Sequence, residues 1–314
     1  MSKPREANKN SYWSNYASRI ILNTASHPIE YAKVLIQLGY EPIPPRPCTT
    51  FFGKPALKLP NIFDYVKHIK TVDGFAGMYR GLVPKLCGSL VCAVTTEKVL
   101  QRYAGEVSRD DDEEHQQNVE DPRGKFVKDL KRDIVSRTSA IIISHPFHVI
   151  TIRMMAQFVG NETRYMGLFS SIGEVYKENG ILGFFSGLVP RVLGDIIFIL
   201  LASSLTFAVN SYVFEEPDLQ MYTNATMSFL ASAITYPFQV VSNCMAVSNS
   251  GLAAGMPPLM PMYSNWSDCW FDLSNRQQLK RGSSLLIRYY TGPQVIISGR
   301  PVPLPKNDNM NLSY

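Results

Sequence analysis

One heptapeptide occurs twice in the chain, Tyr79-Arg80-Gly81-Leu82-Val83-Pro84-Lys85 and Phe185-Ser186-Gly187-Leu188-Val189-Pro190-Arg191, and its recurrence restricts the fold more than any other feature. Each copy sets a glycine turn ahead of a proline in the first turn of a helix, where the missing N–H costs nothing. A basic residue and an apolar run follow. Upstream, an X-Pro pair interrupts a helical apolar run three times, at His27-Pro28, His145-Pro146 and Tyr236-Pro237, 118 and 91 residues apart. A period near 100 residues exceeds the common solenoid repeats and makes each unit a helix pair. The spacing therefore predicts three helix pairs.

Whole-chain composition does not choose the solvent, because 45% hydrophobic residues and a mean hydropathy of −0.06 also suit a water-soluble chain. Local runs decide. Leu219 to Ser267 contains no Asp, Glu, Lys or Arg, and it exceeds the roughly 20 residues that cross a bilayer. Val192–Phe214 holds Asp195 as its one charge, Ile20–Leu38 carries Glu30 and Lys33, and Thr138–Ile152 and Leu86–Thr96 are uncharged but short. Five spans of an all-α membrane protein are expected.

The net charge of +5 is scattered, which gives no case for nucleic acid. Cys48, Cys87, Cys92, Cys244 and Cys269 form no CxxC and no Cys/His cluster at zinc spacing, so neither a disulfide framework nor a metal is expected. There is no Ser/His/Asp set, paired catalytic carboxylate or phosphate loop, hence no catalytic residue and no cofactor. Met1 to Arg19 lacks the apolar core of a secretory signal. The expected division is a polar tail at 1–12, repeats at 13–104, 126–214 and 215–292, an acidic solvated loop at 105–125 and a tail at 293–314.

Polar residues fall on single helical faces. Helix one carries Arg19, Asn23, Ser26, Glu30, Lys33 and Gln37 at alternating steps of four and three. Helix three offers Asp133, Arg137, Ser144, His148 and Thr151, and helix five an uncharged stripe through Asn224, Ser228, Ser232, Thr235, Gln239 and Ser242, flanked by Tyr236 and Asn243. Each has a plainer reading. Ser and Thr can bond their own helix, Lys33 can pair with Glu30 at i,i+3, Asp195 can answer a helix dipole, and a lone His is commonly a packed residue. Against these stands the cost of a charge at mid-bilayer, roughly 2.5–3.5 kcal/mol on insertion scales.

Pro28-Ile29-Glu30-Tyr31-Ala32-Lys33 fits the Pro-x-acid-x-x-base signature of the mitochondrial carrier family, and Asp73-Gly74 with Tyr79-Arg80-Gly81 fits its acid-Gly-x4-aromatic-base-Gly half. Tyr31–Pro42, His145–Arg153, Gly180–Asp195 and Tyr236–Asn249 more closely resemble the mitochondrial carrier homologue proteins, the divergent outer-membrane branch. Repeats two and three depart from the carrier signature, with His148 and Thr151, and then Gln239 and Ser242, in place of its acid and base. Beyond Arg281-Gly282 the apolar pieces Leu285–Tyr290 and Val295–Ile297 are broken by Arg288, Pro293, Gly299 and Arg300.

The resemblance therefore implies a carrier-like three-repeat helical bundle whose sixth transmembrane helix is missing, leaving a polar groove open sideways to lipid. Arg19, Asn23, Glu30, Lys33, His148, Asp195, Ser232, Thr235, Tyr236, Gln239, Ser242 and Asn243 would line it. The branch it resembles inserts tail-anchored and signal-anchored helical proteins into the mitochondrial outer membrane and docks an apoptotic regulator. That implies helical membrane-protein clients and lipids as partners, and a multi-pass protein of that membrane. The residues alone leave open an inner-membrane solute carrier, a receptor or scaffold, and a lipid scramblase.

Overall fold

A computed structural model describes residues 4–50, 53–110, 122–212, 217–292, 294–297 and 300–303. Eight α-helices are present among them: α1 (Pro4–Leu38), α2 (Ile62–Gly77), α3 (Leu82–Asp110), α4 (Pro122–Ala156), α5 (Leu168–Asn179), α6 (Leu188–Tyr212), α7 (Pro217–Val247) and α8 (Trp266–Asn275). Five of these run to 25 residues or more, α1, α3, α4, α6 and α7. A hairpin of β1 (Arg46–Thr49) and β2 (Pro55–Leu59) joins α1 to α2, and β3 (Arg288–Tyr289) adds to β2 antiparallel. A second hairpin pairs β4 (Gln294–Ile297) with β5 (Arg300–Pro303).

The repeat is a physical device, present three times. Pro28, Pro146 and Pro237 lie inside α1, α4 and α7, where each removes an N–H and crowds the preceding turn. The residue before each proline reaches across to a carbonyl of a later loop. His27 Nε2 donates to Arg80 O at 2.9 Å, His145 Nε2 to Ser186 O at 3.0 Å, and Tyr236 Oη to Arg281 O at 3.0 Å. Each accepting carbonyl precedes a glycine of positive φ, Gly81 at 79°, Gly187 at 79° and Gly282 at 78°. A Cβ on Gly187 would lie 2.4 Å from Ser242 O, so glycine alone lets α6 start this close to α7.

After Gly81 and Gly187 the chain launches α3 and α6. After Gly282 it takes another course. Leu285 O accepts from Ile62 N at 2.9 Å, Tyr290 N donates to Leu57 O at 2.8 Å, and Arg288 donates to Pro60 O at 3.1 Å and pairs with Glu41. Burial holds the Glu41 carboxyl above its ordinary range, and the Arg288 guanidinium offsets part of that shift. The third repeat thus reaches the same starting point and continues as a strand.

The packed core sits where the C-terminal halves of α1, α4 and α7 meet the short helices. Tyr31, Leu35, Ile36, Tyr65, Ile69, Ile150, Met155, Val240, Cys244 and Leu273 are all buried there. Arg153 is buried with them, donating to Ala246 O at 3.0 Å, Asn179 Oδ1 at 2.9 Å and Glu178 Oε2 at 3.2 Å. Among the described residues, two helical stretches are long and apolar enough to cross a bilayer, Arg123–Ala156 and Ile181–Ser211. In the second, 17% of the most apolar window is buried, so most of its apolar surface is left uncovered by the rest of the described chain.

Several boundaries differ from the sequence reading. Helix one starts at Pro4, so most of the tail expected at 1–12 is helical. The loop expected at 105–125 is helical up to Asp110 and again from Pro122, while 111–121 lie outside the described residues. The uncharged run to Ser267 ends as a helix at Val247, because the chain turns there to reach α8. Part of the C-terminal tail is the β4–β5 hairpin, and 304–314 fall outside the described residues. The expected spans in α1, α3 and α7 do not reach the apolarity of the other two, α1 and α3 through their charged residues and α7 through polar residues such as Gln239 and Asn243.

Candidate functional site

Polar side chains gather along the seam between α1 and α7. Gln37, one of the last residues of α1, donates through Nε2 to Tyr236 Oη at 2.8 Å and accepts at Oε1 from Asn243 Nδ2 at 2.7 Å. Tyr236 passes the chain of bonds to Arg281 O, and Arg281 Nε returns to Gln37 O at 2.5 Å. Arg281 Nη2 also reaches Cys244 Sγ at 3.0 Å. One ring of bonds therefore ties α1, α7 and the loop after α8. Lys33, one turn before Gln37, lies with its Nζ 5.1 Å from the Tyr236 ring centroid, a cation–π contact.

Away from this closure both helices present apolar side chains outward. Ile21 and Leu22 on α1 and Met221, Tyr222, Phe229 and Ile234 on α7 are each more than half exposed. Two acids are paired between helices. Glu30 accepts from Lys85 Nζ at 2.5 Å and from Ser26 Oγ at 3.0 Å, which ties α1 to α3. Asp195 on α6 accepts two bonds from Arg137 on α4, at 3.1 and 3.4 Å. His145 Nδ1 accepts from Arg191 at 3.4 Å, and the His148 ring lies 5.7 Å from that of His145.

These placements correct part of the expected lining. Lys33 does not pair with Glu30: Glu30 is taken by Lys85 and Lys33 turns to Tyr236. Asp195 is an ion-pair partner rather than a helix cap. Ser232 and Thr235 donate to carbonyls of their own helix, at 2.7 and 3.0 Å, and so present little free polarity. Ser242 is buried on Gly187 O at 2.9 Å and Asn243 is buried on Gln37, so both hold helices together. Arg19 and Gln239 are exposed, and Asn23 and His148 half-buried. Lys85, Arg137, Gln37 and Arg281 belong to the site as much as the residues expected there. Their signal was in the sequence: Lys85 follows the repeated proline, and Arg281 precedes Gly282 as Arg80 precedes Gly81.

Proline-bearing helices latched to the loops that precede glycine turns, with charged pairs bridging helices, define a class of membrane helix bundle built from tandem repeats. The profile of the family described as Mitochondrial carrier protein matches residues 10–103 and 123–215. The chain is 43% identical over 286 residues to Mitochondrial carrier homolog 2 of Homo sapiens, covering 87% of this chain and 93% of that protein. It is 38% identical to Mitochondrial carrier homolog 1 of Mus musculus, covering 84% and 73% of the two chains. Likeness to the mitochondrial tricarboxylate transport protein of Mus musculus is lower, 24% identity over 53% of this chain. The chain belongs to the mitochondrial carrier protein family, within its divergent carrier homologue branch.

Proposed function

We propose that the chain is an insertase for α-helical membrane proteins of the mitochondrial outer membrane, acting through a polar furrow between α1 and α7 that opens sideways to lipid. The observation that carries this reading is the course of the third repeat. It makes the proline latch to Arg281 O and the positive-φ turn at Gly282, then pairs as β3 with β2 where its two predecessors launch a long helix. No helix of spanning length follows α7 among the described residues. Where a sixth helix would stand, α1 and α7 meet directly at Gln37 and Tyr236 and turn exposed side chains outward elsewhere.

A tail-anchored or signal-anchored client must carry a polar flank across an apolar slab while its helix leaves into lipid. Unsatisfied polar groups in hydrocarbon cost several kcal/mol each, on the order of 4–8 for transfer into a solvent with no hydrogen bonds. Lys33 and the edge residues Asn23 and Gln239 of α1 and α7 offer partners along such a path, and the Arg137–Asp195 pair of α4 and α6 would extend it into the bundle. The Tyr236 end closes it, so a client enters from the exposed end. Docking of an apoptotic regulator belongs to this proposal through the carrier homologue branch.

Inner-membrane solute transport is the second reading, favoured by family membership and by the intact first signature with its Asp73–Arg80 pair at 3.0 Å. A receptor or scramblase would use the same furrow. Proteoliposomes carrying wild type, Lys33→Glu or Asp195→Arg in equal amounts separate these readings through insertion of a tail-anchored client, uptake of a small anion and flip of a labelled lipid. Insertion that changes in both variants supports the proposal. Anion uptake with no client insertion by the wild type refutes it.

A further inference from the structure

Between the β1–β2 hairpin and α2 lies a cavity of about 420 Å3, within the ~300–1,000 Å3 range of small-ligand sites. Its wall carries Arg46, Lys58 and Lys67 against a single acid, Asp64, with His68 and Asn61 beside them. Arg46 and Lys58 are direct cross-strand partners in the hairpin, and like charges directly opposite one another destabilise a strand pair. None of the three cations joins an ion pair among the described residues. Lys67 shares a face of α2 with Asp64 and His68, while Ile62, Tyr65 and Ile69 turn the other face into the core. The helix therefore presents its charged side to the hairpin across the cavity.

We infer that this cavity binds a phosphate-bearing anion, held between Arg46 and Lys58 of the hairpin and Lys67 of α2. Three cations less one acid leave a surplus of two positive charges in the wall, which matches the charge of about −1.5 to −2 on a phosphomonoester near neutral pH. A guanidinium fork and two ammonium groups suit its several acceptor oxygens. The N-terminus of α2, capped by Asn61 on Asp64 N at 2.8 Å, adds a dipole of the same sign beside the cavity. The anion would also relieve the repulsion between Arg46 and Lys58. This site stands apart from the α1–α7 seam and does not depend on the insertase reading.

A soluble phosphate compound and an anionic lipid headgroup share this chemistry, and two probes distinguish them. The full chain in neutral detergent is titrated calorimetrically with inorganic pyrophosphate. Its retention of phosphatidic acid against phosphatidylcholine is read by native mass spectrometry. Saturable pyrophosphate binding assigns a soluble anion, and selective phosphatidic acid retention assigns a headgroup. Either should weaken at least about tenfold in Arg46→Gln/Lys58→Gln, whose melting temperature without ligand should equal or exceed that of wild type. Lys67→Gln, which leaves the hairpin intact, should weaken binding in the same direction. Binding of neither probe, or binding unchanged in both variants, overturns the assignment.

Discussion

Tyr236→Phe removes one oxygen and leaves the ring, so Lys33 keeps its aromatic contact while the bonds to Gln37 and Arg281 disappear. Gln37 is 1% exposed, so its Nε2 donor loses its partner without gaining water. The Arg281 carbonyl, beside buried Gly282, loses its donor. Each orphaned group costs about 1–3 kcal/mol, and two of them give about 2–6 kcal/mol. The lower half of that range is expected, because the bond from Arg281 Nε to Gln37 O still joins the same segments. At about 2–4 °C per kcal/mol for a chain of this order of size, the midpoint should fall by roughly 4–16 °C. Tryptophan fluorescence during heating of the detergent-solubilised protein measures it. The loss should shrink in a Gln37→Leu background, where the donor is already gone. A midpoint within about one degree of wild type, well under the 2 °C that a single kcal/mol would give, would show that this ring of bonds does not hold α1 to α7.

Arg153→Met should be among the most damaging single changes, costing about 3–5 kcal/mol, because Glu178 loses its buried partner. Adding Glu178→Leu should recover much of the loss, and chemical denaturation of both variants checks this. Gly187→Ala should detach the start of α6 from α7, since a left-handed φ costs about 1–2 kcal/mol for a residue with a Cβ and that atom would also meet Ser242 O. Faster proteolysis around Ser186 is the readout, and cleavage at the wild-type rate would contradict the packing described.

The three-unit plan was legible in the sequence because it rests on local chemistry. An X-Pro pair and a Gly-Leu-Val-Pro turn have few structural meanings, and all three latches stand on the first while two of them also stand on the second. The first signature likewise led to Glu30 and Lys33. Their partners could not be read from the chain, because Lys85 and Tyr236 are 55 and 203 residues away from them and are brought near by packing alone. Ser242 and Asn243 followed the polar stripe yet turned inward, since a stripe fixes which residues share a face and not which neighbour covers it. The strand β3 escaped notice for another reason: Leu285–Tyr290 is too short to announce itself, and its partner β2 lies more than 200 residues upstream.

The strand that follows Gly282 gives the proposed insertase a consequence of parity. A chain that crosses a slab an odd number of times leaves its beginning and its end facing different compartments, whereas a sixth traverse would bring them back together. Under the five-span reading proposed above, β3 pairing with β2 puts the segment after α7 in one compartment with the α1–α2 connection and the first turns of α1 in the other. A cell could then address the two ends of one small molecule independently, from either side of the same barrier.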